Sequence, residues 1–186
     1  MQETICVEKE MDIEAFRSKL GAGGARPNQF QVTLNFPTIA DADNTYSILV
    51  SGAAIPASTV NPAIIQYRGR EVKLAGERIF DPWTVTIIND TNQSLRRPFE
   101  QWLDAINQKD DNRGLLTPSE YYQDIEIIHL DRNDEPLKGG QYMLKGAFPI
   151  NMSEIALQYA QNDIIEEFTV TFQYQAYENV GVDVAI

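Results

Sequence analysis

Residues that carry out chemistry are scarce in this chain. Its 186 residues include one histidine, His129, and one cysteine, Cys6. Any Ser-His-Asp or Cys-His arrangement would have to use His129, which sits between Ile128 and Leu130 and reads as an ordinary strand residue. A single histidine excludes a multi-histidine metal site. A single cysteine excludes a disulfide framework within one chain and fits a reducing compartment. Cys6 lies in a loose arm with no nearby base and reads as a bystander thiol. No apolar run approaches the roughly 20 residues of a membrane span. The first segment, MQETICVEKEMD, is acidic and lacks the apolar stretch of a signal peptide. Positive charge is also short, with 15 Lys and Arg against 27 Asp and Glu and a net charge of −12. A free-standing nucleic-acid binder normally carries a basic footprint, so this chain on balance repels DNA.

The familiar loops are missing too. Asp131 to Glu135 begins like a calcium loop, but Pro136 stands where glycine is needed and Tyr142 where glutamate is needed. Asp41-Ala42-Asp43-Asn44-Thr45 fails in the same way, at Tyr46 and Gly52. Gly21-Ala22-Gly23-Gly24 is no dinucleotide fingerprint, since Arg26 takes the sixth position and no strand precedes it. No phosphate-binding P-loop sequence occurs, and nothing selects one carboxylate pair for acid-base work. The expectation is a protein that is not an enzyme and has no cofactor and no metal.

What is present is patterned for a sheet. The chain is long enough for one domain with a real core. Within Gly76 to Asn107, Trp83, Val85 and Ile87 alternate with Thr84 and Thr86, the period of a half-buried strand. Asn89-Asp90-Thr91-Asn92 is turn chemistry. Leu95, Phe99, Trp102, Leu103 and Ile106 then mark one face of a helix, with Pro98 in or near its first turn. Trp83, Phe99, Trp102, Phe168 and Phe172 are the expected core anchors. Met11 to Leu20 reads as a short helix ended by glycines. Strands are expected at Asn28 to Phe36, Tyr46 to Ser51, Tyr121 to Leu130, Gln141 to Phe148, Ile155 to Tyr159 and Ile164 to Tyr177. A hairpin of Ile64 to Arg68 with Glu71 to Ala75 turns about Gly69, after a long connection from Gly52 to Pro62. The fold class is mainly β: an antiparallel β-sandwich or partly open barrel of seven to nine strands with one flanking α-helix. The whole chain, 1–186, reads as one domain, with an arm and short helix over 1–24, a β core over 25–178 and a tail over 179–186.

Two features point to assembly. Gln29, Gln31 and Thr33 on one strand and Thr169, Thr171 and Gln173 on another make polar faces almost without charge, unlike the Lys- and Glu-rich faces of ordinary solvated sheets. Arg68, Arg70, Lys73 and Arg78 gather positive charge in an acidic chain, suiting a patch that docks on an acidic neighbour. With the long loop and terminal arms, they suggest self-association through a heterologous interface, which makes rings or open filaments.

Four blocks in order resemble the major tail tube proteins of contractile-tailed bacteriophages: ARPNQFQVTLNFP, GREVKLAGERIFDPWTVTIIND followed by RPFEQWL, KGAFPINMSEIALQY, and IIEEFTVTFQYQAYE. The resemblance implies a structural virion protein, made in the host bacterial cytoplasm and located in the tail. Six copies would close a ring, and rings would stack into a hollow tube inside a contractile sheath. DNA would pass through the lumen without specific binding, and the monomer would not insert into membrane. Expected partners are further copies of the chain, the sheath protein, and baseplate and tail terminator proteins. In that setting Gln29, Gln31, Thr33, Thr169, Thr171 and Gln173 become candidate lumen residues, and Arg68, Arg70, Lys73 and Arg78 candidate ring–ring contacts. Three alternatives are a tube–baseplate or terminator junction protein, a tube subunit of a contractile bacteriocin or type VI-like injection system, and, more remotely, a carbohydrate-binding β-sandwich.

Overall fold

The computed structural model describes residues 13–20, 24–37, 49–160 and 162–180. The expected N-terminal arm with Cys6, the glycines at 21–23, the turn at 41–45, the start of the Tyr46 strand, Gln161 and the end of the tail lie outside the described residues.

In chain order the elements are α1 (Ile13–Leu20), β1 (Phe30–Thr33), β2 (Val50–Ala53), β3 (Ser58–Tyr67), β4 (Arg70–Phe80), β5 (Trp83–Ile88), α2 (Arg96–Ile106), α3 (Pro118–Tyr121), β6 (Gln123–Leu130), β7 (Pro136–Met152), β8 (Glu167–Gln173) and β9 (Ala176–Asn179). Seven strands form one antiparallel sheet in the order β1-β6-β7-β8-β5-β2, with β9 beside β7. The strand β7 organises this sheet. Its first part pairs with β6 and β9, and its last residues pair with β8. Gly146, at φ +61°, falls in the register shift between the Gln123–Ala147 and Ile125–Leu144 pairs, in a conformation that L side chains rarely adopt. The ends of the order, β1 and β2, bring Cα atoms within 8 Å without pairing, so the sheet curls into a partly open barrel.

The concave side holds the core. Alternation aims Trp83, Val85 and Ile87 inward from β5 and Phe168, Val170 and Phe172 from β8, and all are buried. The helix α2 closes this side with Leu95, Phe99 and Trp102. Phe172 is the hub, with ring centroids 5.8 Å from Trp83, 5.9 Å from Phe99 and 6.1 Å from Trp102. Both indole N–H groups are satisfied: Trp83 Nε1 donates to the Ala54 carbonyl at 2.6 Å and Trp102 Nε1 to the Tyr121 carbonyl at 3.0 Å. Before α2, Asp90 accepts from both the backbone N–H and the hydroxyl of Ser94 at 2.7 Å. These bonds hold the Asp90 carboxyl below its usual range.

Several expected boundaries move. The hairpin is much longer than expected, and the supposed loop to Pro62 is largely strand β3, leaving a connection of only Ala54 to Ala57. Pro62 is accommodated by a register shift after Val60. Opposite it, a Cβ at Gly76 would run into the Asn61 carbonyl oxygen, so this glycine lets the two backbones close. The single strand expected over Ile164 to Tyr177 is two, because the chain passes from β8 to β9 at Gln175, whose N–H donates to the Lys145 carbonyl at 3.0 Å. Ile155 to Tyr159 is not a strand: its apolar residues find no ladder partner and stand in an irregular connection. Tyr121 closes a helical turn begun by Pro118 rather than opening β6, and β1 is shorter than Asn28 to Phe36.

Candidate assembly interface

The β3–β4 hairpin stands away from the core. Each strand pairs only with the other among the described residues, and every residue from 59 to 79 is exposed. At about 3.3 Å per residue, a ten-residue strand reaches roughly 33 Å. Its two-residue loop, Arg68 at φ 49° and Gly69 at φ 77°, has the double positive φ of a type I′ turn. The cross-strand pairs Ala63–Leu74 and Ile65–Val72 put four apolar side chains on one face, ending at the pair Tyr67–Arg70. Half the surface of Ile65 is open to solvent.

The four basic residues of this region are spread over the hairpin rather than gathered on one face. Arg68 lies at the tip, its guanidinium 5.4 Å from the Tyr67 ring centroid. Arg70 sits opposite Tyr67, Lys73 opposite Ile64 on the reverse face, and Arg78 opposite Val60 beyond the bulge.

On the convex side of the main sheet, Thr84 faces Thr171 and Thr86 faces Thr169 across the β5–β8 ladder. The hydroxyls of Thr84 and Thr171 are 3.1 Å apart. Asn151 of β7 is the ladder partner of Thr171, and Phe148 that of Gln173. This makes an uncharged surface of hydroxyls and amides, bounded beside Gln173 by the Phe148 ring, which packs on Tyr121 and Tyr122. Gln29, Gln31 and Thr33 do not join it: β6 and β7 intervene in the strand order, and the ladder sets Gln31 beside Ile128 and Thr33 beside Glu126. The nearest cation on the intervening strands is engaged, since Lys145 Nζ donates to Asp124 at 2.9 Å. The Gly146 N–H also donates to Asp124 at 3.0 Å. Burial alone would raise the Asp124 carboxyl, but these two donors hold it below the usual value, and the same contact raises Lys145.

His129 lies on the concave side of β6, in line with the buried Ile125 and Ile127 and lining a small cavity with Phe30. His129 Nε2 lies 2.8 Å from the Arg26 carbonyl oxygen, which can only accept, so Nε2 carries the proton and the ring fastens the segment before β1 to β6. No group of three or more His, Cys, Asp or Glu side chains fit to hold a metal lies among the described residues. No helix among them is long and apolar enough to cross a membrane.

Comparison with known proteins agrees with this architecture. Residues 25–180 match the family model described as phage tail tube protein. The tail tube protein of Serratia phage KSP90 is 29% identical over 167 residues, covering 87% of this chain and 93% of the relative. The tail tube protein of Enterobacteria phage T4 is 30% identical over 155 residues, covering 83% and 91%. Among solved structures, the tube terminating cap of the anti-feeding prophage superposes with a TM-score of 0.60 at 16% identity, over 83% of this chain and 89% of the cap chain, a likeness of fold.

Proposed function

Since the chain belongs to the phage tail tube protein family, we propose that six copies close into a ring, that rings stack into the hollow inner tube of a contractile tail, and that phage DNA passes through its bore. In this reading the chain is a single tube domain, with residues 25–178 as its β core. A sheath surrounds the tube, and baseplate and terminator proteins meet its two ends.

The observation that carries this reading is the β3–β4 hairpin. A two-stranded ribbon is marginal in water, and this one has both faces exposed and one of them apolar. An isolated subunit would carry it as an aggregation hazard. A neighbouring copy that covers Ile65, Val72 and Leu74 turns the same surface into an interface, with Arg68, Arg70, Lys73 and Arg78 meeting acidic groups of a chain whose net charge is −12. We assign this contact to the next ring.

The bore is lined, in the same proposal, by the convex side: Thr169, Thr171 and Gln173 with Thr84 and Thr86, and Gln29, Gln31 and Thr33 towards the other edge. A phosphate meets neutral hydroxyls and amides there, beside carboxylates that repel it and a lysine already held by Asp124. Such a surface is wetted and releases its cargo.

Electron microscopy of negatively stained protein at high concentration, with sedimentation alongside, tests the reading. Hollow tubes or stacked rings are the expected result. A monomer that persists after baseplate extract is added would overturn it.

A further inference from the structure

The helix α1 presents Ile13, Phe16 and Leu20 at spacings of three and four, one helical face, and buries none of its residues. Ile13 is 74% exposed and Phe16 67%. At about 100° per residue, Arg17 flanks this stripe on one side and Lys19 on the other. An eight-residue helix is marginal in water on its own, so an apolar face left open needs a cover.

A surface of matching character lies elsewhere on the chain. The connection between β7 and β8 folds into two arms, residues 155–159 and 163–167, which enclose an open groove of 1040 Å³. Ile155 anchors the groove against the core. Leu157 is 79% exposed, Ile164 68% and Ile165 69%. Asp163, Glu166 and Glu167 line it, and no Lys or Arg occurs between Ser153 and Glu167. A helix of eight residues, about 12 Å long and about 10 Å across, fills a comparable volume.

We propose that α1 of one copy docks in the groove between residues 155–159 and 163–167 of a second copy, with Arg17 and Lys19 against the acidic rim. In its own chain α1 does not occupy the groove: none of its residues is buried and none lines it. The helix face and the groove are two different surfaces, so their contact between copies is a heterologous arrangement that propagates from copy to copy. As a contact within the tube, the proposal rests on the reading above.

The test uses the full chain with Cys6→Ser, which removes the one native cysteine. One preparation adds Phe16→Cys and another Ile165→Cys; they are mixed, assembled and mildly oxidised. The expected product is a disulfide-linked dimer that forms only in the mixture. Arg17→Glu with Lys19→Glu should abolish the cross-link, and Asp163→Lys with Glu167→Lys should restore it. Tubes seen by microscopy without the cross-link would overturn the α1 contact alone. Cross-linked dimers without tubes would uphold the contact and overturn the tube reading, and neither product would overturn both. In a chain carrying both new cysteines, a closed monomer would also refute docking between copies.

Discussion

The hydroxyls of Thr84 and Thr171 meet at 3.1 Å across the β5–β8 ladder, each engaging the other on the convex face of the sheet. A polar surface so arranged holds water without offering charge. Phosphate contacts from cations dominate affinity for DNA. Replacing Thr171 and Gln173 together by Lys should therefore leave the exposed face folded and the tube assembled, and slow or stop DNA ejection. The defect should weaken as salt is raised, with log affinity for DNA falling by roughly 0.9 per added phosphate contact for each decade of salt. Ejection at the parental rate, followed by dye entry in single particles, would remove these residues from the bore.

The hairpin separates folding from assembly. Every residue from 59 to 79 is exposed, so charge reversal at Arg68 and Arg70 removes no core contact. Surface changes of this kind usually move stability by no more than about 0.5 kcal/mol. The Arg68→Glu, Arg70→Glu variant should melt with the parent as a monomer and fail to elongate, giving short tubes or none. Unchanged tube length by electron microscopy would exclude a ring–ring role. Replacing Ile65 by Asp, in the apolar face, should give the same split between an intact subunit and lost assembly.

Phe172 is the converse case. Its ring touches those of Trp83, Phe99 and Trp102, tying β5 and α2 to β8. Truncation to Ala should cost about 3–5 kcal/mol, the usual range for a buried aromatic. Phe16→Ala, on the open face of α1, should leave the unassembled subunit within about 0.5 kcal/mol of the parent. Denaturant unfolding of both variants in monomeric conditions measures the contrast. A small loss at Phe172 would mean that the helix does not depend on that ring.

These contrasts show which parts of the molecule were legible in the residues. Strict alternation along Trp83 to Ile87 and Phe168 to Phe172, and the 3.6-residue spacing from Leu95 to Ile106, are local patterns that burial on one side enforces, so strands and helix could be read directly. The length of the hairpin could not. Pro62 and Gly76 are ordinarily breakers, and here the bulge absorbs the proline while the missing Cβ of Gly76 clears the Asn61 carbonyl. The separation of Gln31 from Thr171 was also hidden, because it depends on strand order, a property of distant pairings. The apolar residues of the β7–β8 connection look like another strand until no partner is found for them.

Acid should loosen the molecule at two identified carboxylates. Asp90 is held below its ordinary value of 3.8 by the Ser94 hydroxyl and N–H. Asp124 is held below it by Lys145 and the Gly146 N–H against the opposing effect of burial. A folded-state pKa below the unfolded one means that the unfolded chain binds more protons as pH falls. The stabilisation is then complete above the unfolded value, and it is lost as pH falls below about 4 through the folded values. Lys145 works in the other direction, its raised pKa adding stability that disappears only as pH climbs through that value in strong alkali. The Asp124 and Lys145 side chains are 43% and 41% exposed, so solvent screens their pair and Asp124 should contribute only a small part. Asp90 is better placed, because its two bonds fix the turn that launches α2 and so position Phe99 and Trp102. Melting temperature followed from roughly pH 5 to pH 2 should fall less steeply in Asp90→Asn and Asp124→Asn than in the parent, with both variants lower at neutral pH. A parental slope in Asp90→Asn would show that the turn holds without the carboxylate and that acid sensitivity arises elsewhere.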